Sequence, residues 1–111
     1  MVEQTYKLDA IFSSLSDPTR RDILTRISNQ GMNVSTIAGH YTFSLAGIAK
    51  HLDVLERAGL VRKIRQGKEQ IVMIDPKALA AANEYLEVYR GLWEDRLGSL
   101  DKLMQKIEER G

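Results

Sequence analysis

The 111-residue sequence contains no cysteine. Disulfides, thiolate metal centres and a cysteine nucleophile are therefore excluded at the outset. Histidine is scarce as well: His40 and His51 are the two in the chain, and neither lies in the C-terminal region. A divalent-metal site needs clustered His, Cys, Asp or Glu, so no metal and no other cofactor is expected. No apolar run approaches the roughly 18 residues that cross a bilayer. The N-terminal Met1-Val2-Glu3-Gln4 lacks the basic and apolar segments of an export signal. These absences fit a cytoplasmic chain without a membrane partner. No glycine-rich phosphate loop accompanies the acidic residues near the C-terminus. Glu94 and Asp95, adjacent on a helix, point about 100° apart and do not chelate together. Catalysis finds no support, and the chain is not expected to be an enzyme.

What is present is an ordinary globular composition, 43% hydrophobic and 28% charged. The length suits one domain, spanning residues 1–111, that buries roughly two-thirds of its unfolded surface. The net charge of +1 conceals an asymmetry: residues 1–74 carry ten Lys/Arg against seven Asp/Glu, and residues 75–111 carry six against eight. A mildly basic front and an acidic tail suit a reader of phosphate backbone joined to something else.

Residues 43–68 are the most informative stretch. Ser44 is a good N-cap, Ile48, Leu52 and Leu55 recur at helical spacing, and Gly59 supplies a left-handed stop. Leu60 to Arg65 and Glu69 to Ile74 then read as two strands around a Gln66-Gly67 turn. Arg62, Lys63, Arg65 and Lys68 place four cations in seven residues without an acid. Upstream, Leu8, Ile11, Phe12 and Leu15, with Tyr6, predict an opening helix. Asp17-Pro18 caps a second that runs to about Asn29, and Asn33 caps a short third holding Val34, Ile37, Ala38 and Tyr41. Thr42-Phe43 makes a tight turn into the Ser44 helix. The predicted fold is α+β and mainly helical: a winged helix-turn-helix with the helix-turn-helix at 34–58 and a two-stranded hairpin wing at 60–74. A helix that fits a major groove, tied to a cationic hairpin, implies binding to double-stranded DNA.

Asp75-Pro76 repeats the cap-plus-proline signal and opens a long final helix over 76–109. Leu79, Ala82, Leu86, Tyr89 and Trp93 step by three and four. Leu97, Leu100, Met104 and Ile107 continue after one stutter. Such a seam left in water is an association patch, and a two-fold dimer covers it economically. The alternative is a break near Gly91 or Gly98 that folds the helix back. Tyr89 and Trp93 could otherwise line an effector pocket.

These residues resemble the ArsR-type (arsenical-resistance repressor) winged-helix transcriptional regulators. Leu15-Ser-Asp-Pro-Thr-Arg-Arg-Asp-Ile-Leu24 is similar to the family's opening signature. Lys50-His-Leu-Asp-Val-Leu-Glu-Arg-Ala-Gly-Leu-Val61 is similar to its recognition helix and exit. Arg62 to Asp75 resembles its wing, and Tyr89-Arg-Gly-Leu-Trp-Glu-Asp-Arg-Leu97 the tail of a branch without metal-ligand cysteines. The resemblance implies a homodimeric, sequence-specific repressor on a near-palindromic operator. It leaves room for a small-molecule effector that the sequence does not name. The DNA-binding residues it implies are Ser44, Leu45, Ala46, Gly47, Ala49, Lys50 and His51, with the wing cations Arg62, Lys63, Arg65 and Lys68. The implied dimer interface is Tyr89, Trp93, Leu97, Leu100, Met104 and Ile107.

Two departures matter. Where many members carry polar residues early in the recognition helix and a serine just before the Lys/Arg-His pair, this chain has Leu45, Ala46, Gly47 and Ala49. Small apolar groups touch a thymine methyl but make no bidentate hydrogen bond; Leu45 could instead pack on the preceding helix. Gly47 weakens the helix by up to about 1 kcal/mol relative to alanine, which close approach of a DNA or helix backbone would offset. Several roles stay open. His51 could meet phosphate or cap a local hydrogen bond, and the wing cations could be a solvated face. Arg20 and Arg21 could meet phosphate or pair with Asp17 and Asp22. The alternative function is a winged-helix module that binds another protein through the Leu45-Ala46-Gly47 surface.

Overall fold

The computed structural model describes residues 2–110, with side chains from Lys7 onward; the apolar role expected of Tyr6 lies outside the described side chains. The chain divides into two compact units, Met1–Ala81 and Ala82–Gly111. In order, the elements are α1 (Val2–Leu15), α2 (Pro18–Ile27), β1 (Met32–Asn33), α3 (Val34–Ala38), α4 (Leu45–Arg57), β2 (Val61–Gln66), β3 (Glu69–Ile74) and α5 (Pro76–Arg110). The fold is α+β and mainly helical, as the caps and periodicities predict.

Short polar side chains start these helices by satisfying first-turn amides that have no helical partner. Asp17 Oδ1 accepts from Thr19 N (2.8 Å) and Arg20 N (3.1 Å), and Pro18 at the first helical position has no amide to satisfy. Asn33 Oδ1 accepts from Thr36 N at 2.7 Å, Ser44 Oγ from Gly47 N at 3.1 Å and Asp75 Oδ1 from Lys77 N at 3.1 Å. At the end of α4, Gly59 adopts φ +79°, which lets Leu60 N reach Leu55 O (3.0 Å) and Gly59 N reach Glu56 O (2.9 Å). That paired closure is a Schellman motif. The hairpin pairs Val61 with Ile74 through Gln66 with Glu69. Its two-residue loop is Gly67-Lys68, one residue beyond the expected Gln66-Gly67 turn because Gln66 still pairs with Glu69; φ is +63° at Gly67 and not positive at Lys68, the pattern of a type II′ turn.

The core of the first unit is assembled from Ile23, Leu24 and Ile27 of α2, Ile37 of α3, and Ile48, Leu52 and Leu55 of α4. Leu60, Val61 and Val72 join from the hairpin and Ile11 from α1, all buried. Each such side chain contributes about 1.5–3 kcal/mol through burial.

Three further local expectations differ. The hairpin is not alone: β1 pairs with β3 (Met32 with Val72, Asn33 with Ile71), giving a three-stranded sheet in the order β1-β3-β2. Gly31 permits that approach, since a Cβ there would lie 2.9 Å from Ile71 Cγ2 and Met73 Cγ. The second helix ends at Ile27, where the Ser28 amide turns back to Thr25 O (3.3 Å), short of Asn29. The third helix ends at Ala38, and Tyr41 lies beyond it in a tighter turn held by Tyr41 N to Ala38 O at 3.1 Å. The connection to α4 therefore runs over residues 39–44 and is longer than a tight turn at Thr42-Phe43.

Candidate nucleic-acid interface

α4 has one buried face and one free end. Ile48, Leu52 and Leu55 pack inward, while Lys50, Asp53 and Arg57 remain exposed. At its N-terminus Ser44 and Ala46 are exposed, Leu45 retains 57% of its surface and neighbouring Phe43 retains 49%. Leu45 thus keeps more than half of its surface in solvent. Gly47 and Ala49 are half-buried. A Cβ at Gly47 would meet Ser44 Oγ at 3.4 Å and Phe43 Cβ at 3.7 Å, and no neighbouring helix. Of the two backbones expected to need this glycine, the helix is thus removed. Because Ser44 Oγ only accepts in the cap, its hydroxyl proton stays available to an acceptor outside.

The segment entering α4 is tied down. Tyr41 OH donates to Asp22 Oδ2 at 2.6 Å, and Arg26 Nε donates to the same oxygen at 2.9 Å. The Arg26 guanidinium also lies 5.6 Å from the Tyr41 ring centre. The hydrogen bond from Tyr41, then that from Arg26, holds the Asp22 carboxyl below its ordinary value. Burial, then the bond to Asp22, pushes the Tyr41 phenol up. Tyr41 in turn stacks on Phe43 with ring centres 5.9 Å apart, and Phe43 tilts against His51 at 6.3 Å. Phe43, read from sequence only as part of a turn, is thus an exposed aromatic at the head of α4; its place beside the cap residue was the available signal.

His51 is half-buried and its Nδ1 sits 3.3 Å from Arg20 Nη1. Arg20 Nε donates to Ser14 O at 2.6 Å and Arg21 Nη1 to Leu15 O at 2.8 Å. Neither arginine is hydrogen-bonded to Asp17 or Asp22 through its side chain. Both satisfy carbonyls left open at the end of α1. His40 is exposed, with Nδ1 3.2 Å from Arg26 Nη1.

In the wing, side chains alternate between faces, so Arg62 shares a face with Ile64, and Lys63 shares the other with Val61 and Arg65. The cations do not form one surface. Lys63 is turned back onto α4: its side chain is only 15% exposed and Nζ lies 2.6 Å from Asp53 and 3.6 Å from Glu56. The hydrogen bond from Lys63, then its charge, draws the Asp53 carboxyl below its ordinary value. Arg62, Arg65 and Lys68 are exposed, and none forms an ion pair among the described residues.

In the second unit Tyr89, Trp93, Leu97, Leu100, Met104 and Ile107 are 44–60% exposed, so the expected seam is uncovered in the single chain. Tyr85, Val88, Leu92 and Leu103 widen it, flanking positions that a strict heptad reading leaves out. Ala82 is buried. Among the described residues, no group of three or more His, Asp or Glu could hold a metal ion. No helix among them is long and apolar enough to cross a membrane.

Residues 15–64 match the family of helix-turn-helix domains. The transcriptional repressor SdpR of Bacillus subtilis (strain 168) is 34% identical over 61 residues, covering 55% of this chain and 68% of that protein. The crystal structure of the ArsR family transcriptional regulator RHA00566 superimposes with a TM-score of 0.76 at 33% identity, over 81% of this chain and 93% of that one. The chain belongs to the ArsR family. It is a DNA-binding transcriptional regulator, as the resemblance in the sequence implies. At 21% identity and a TM-score of 0.61, the homodimeric winged helix-turn-helix DNA-binding domain Mb0332 of Mycobacterium bovis shares the fold, over 80% of this chain and 81% of that one. In this ArsR-family chain, then, the matched domain contains all of α4 and the first four residues of β2.

Proposed function

We propose that this regulator is a cytoplasmic homodimeric repressor with no catalytic step of its own, binding a near-palindromic operator. The head of α4, Ser44, Leu45, Ala46, Gly47, Ala49 and Lys50, enters the major groove. Arg62, Arg65 and Lys68 meet phosphates on the flank, where they add affinity with little sequence information. His51 and Lys63 act from behind, His51 beside Arg20 and Lys63 by fixing the wing to α4. Tyr89, Trp93, Leu97, Leu100, Met104 and Ile107 form the two-fold interface. A homodimeric relative of the same fold and a relative named as a repressor support this reading.

The observation that carries it is the conjunction of a helix end left open to solvent and three exposed wing cations outside any ion pair among the described residues. Two protomers supply six such cations, so log affinity should fall against log salt with a slope of roughly −5, near 0.9 per phosphate contact. Titrating duplex DNA at several salt concentrations tests this. Binding indifferent to salt would instead favour apolar docking of a protein partner.

A further inference from the structure

We infer that the head of α4 reads thymine by its methyl group, through apolar contact from Leu45 and Phe43. The inference rests on the proposed entry of α4 into the major groove and names what is recognised there. Bidentate hydrogen-bond readout of a base edge uses the amides of Asn and Gln or the cationic groups of Arg and Lys. The first turn of α4 has none: it offers Leu45, Ala46 and Gly47, preceded by Phe43 and the cap Ser44. A helix that buries Ile48, Leu52 and Leu55 completely nonetheless leaves its largest apolar side chain at the tip in water.

One of the two apolar groups, Phe43, is braced. Phe43 is stacked on Tyr41, which Asp22 holds through its hydroxyl, and its other neighbour is the half-buried His51 ring. A contact group fixed before binding loses little conformational freedom on contact. The surroundings identify the occupant. Lys50, Arg62, Arg65 and Lys68 are exposed in the same domain, which suits a polyanionic partner that also presents an apolar group. In the major groove that group is the C5-methyl of thymine.

The test uses the full-length protein. The tightest duplex is selected from a random pool and resynthesised with deoxyuridine replacing thymidine one position at a time. This removes the methyl and keeps every hydrogen-bonding group. At one or two positions per half-site, affinity should fall about fourfold per methyl. Leu45→Ala, at an exposed helical position, should leave the melting temperature in place and lose affinity for the thymine duplex. Its remaining affinity should no longer depend on the methyl; Phe43→Ala should do the same at the adjacent position. Deoxyuridine tolerated everywhere overturns the inference, as does undiminished methyl sensitivity in both variants. Failure to bind any duplex in a salt-dependent way overturns the proposed function instead.

Discussion

Replacing Gly47 with alanine should move stability and DNA affinity in opposite directions. Gly47 is the third residue of α4, and no positive φ restricts it to glycine. An added Cβ would find Ser44 Oγ at 3.4 Å and Phe43 Cβ at 3.7 Å, which is ordinary contact distance. The amide that donates to Ser44 is retained. Alanine in place of glycine in a helix interior is worth about 0.8–1.0 kcal/mol, less in a first turn, so about 0.5–1 kcal/mol is expected. For a unit of this size that raises the melting temperature by about 2–8 °C. If the glycine lets DNA come close, the same methyl must push against backbone or base, at about 1–3 kcal/mol. Operator affinity then drops between about fivefold and 150-fold. Calorimetry and fluorescence anisotropy on one preparation measure both quantities. A higher melting temperature with unchanged operator affinity would refute the placement of Gly47 at the DNA, and a lower one would refute the local geometry.

Leu55→Ala opens a cavity beneath α4 at a fully buried position and should lower stability by about 2–5 kcal/mol, read as a lower urea midpoint. Leu97→Lys combined with Leu100→Lys should give monomers in sedimentation, because two exposed seam positions become cationic, while melting of the winged domain persists; an unchanged mass contradicts the interface. Asp22 and Asp53 both have carboxyls held below their ordinary values, the first by Tyr41 and Arg26 and the second by Lys63. Their contribution is therefore complete above the ordinary carboxylate range and lost as pH falls through the lowered values. The paired variant Asp22→Asn, Asp53→Asn should consequently flatten the acid limb of the stability profile below about pH 4, and an unaltered limb would show these pairs to be inert.

Legibility in the sequence followed the range of each interaction. Asp17, Asn33, Ser44 and Asp75 act on amides two or three residues away, so their capping role could be read from spacing alone. Gly59 was equally local. β1 was not, because two residues show no alternation and their pairing with Val72 and Ile71 is made across the chain. Arg20 and Arg21 each offered acidic neighbours in sequence, yet their guanidinium groups reach carbonyls six or seven residues back. Lys63 looked like its fellow wing cations until the packing of Val61 decided which face of the strand meets α4. Phe43 was hidden by its position in a connection, since nothing in the spacing told that Tyr41 would brace it.

The exit of α4 also constrains what the domain can do mechanically. Leu60 is bonded back to Leu55 at the closure of α4, and its own carbonyl accepts from Asp75 N at 2.9 Å, where β3 gives way to α5. One residue thus clamps the end of the helix to both ends of the hairpin, and Lys63 bolts the first strand to Asp53 further along. Helix and wing are thus joined like the jaws of a caliper at two separate points. These joints tie the span between the tip of α4 and the wing cations to the packing of the domain. If α4 enters the groove as proposed, a half-site spaced differently would have to bend or twist to fit, and the energy of that distortion would be a second source of sequence preference.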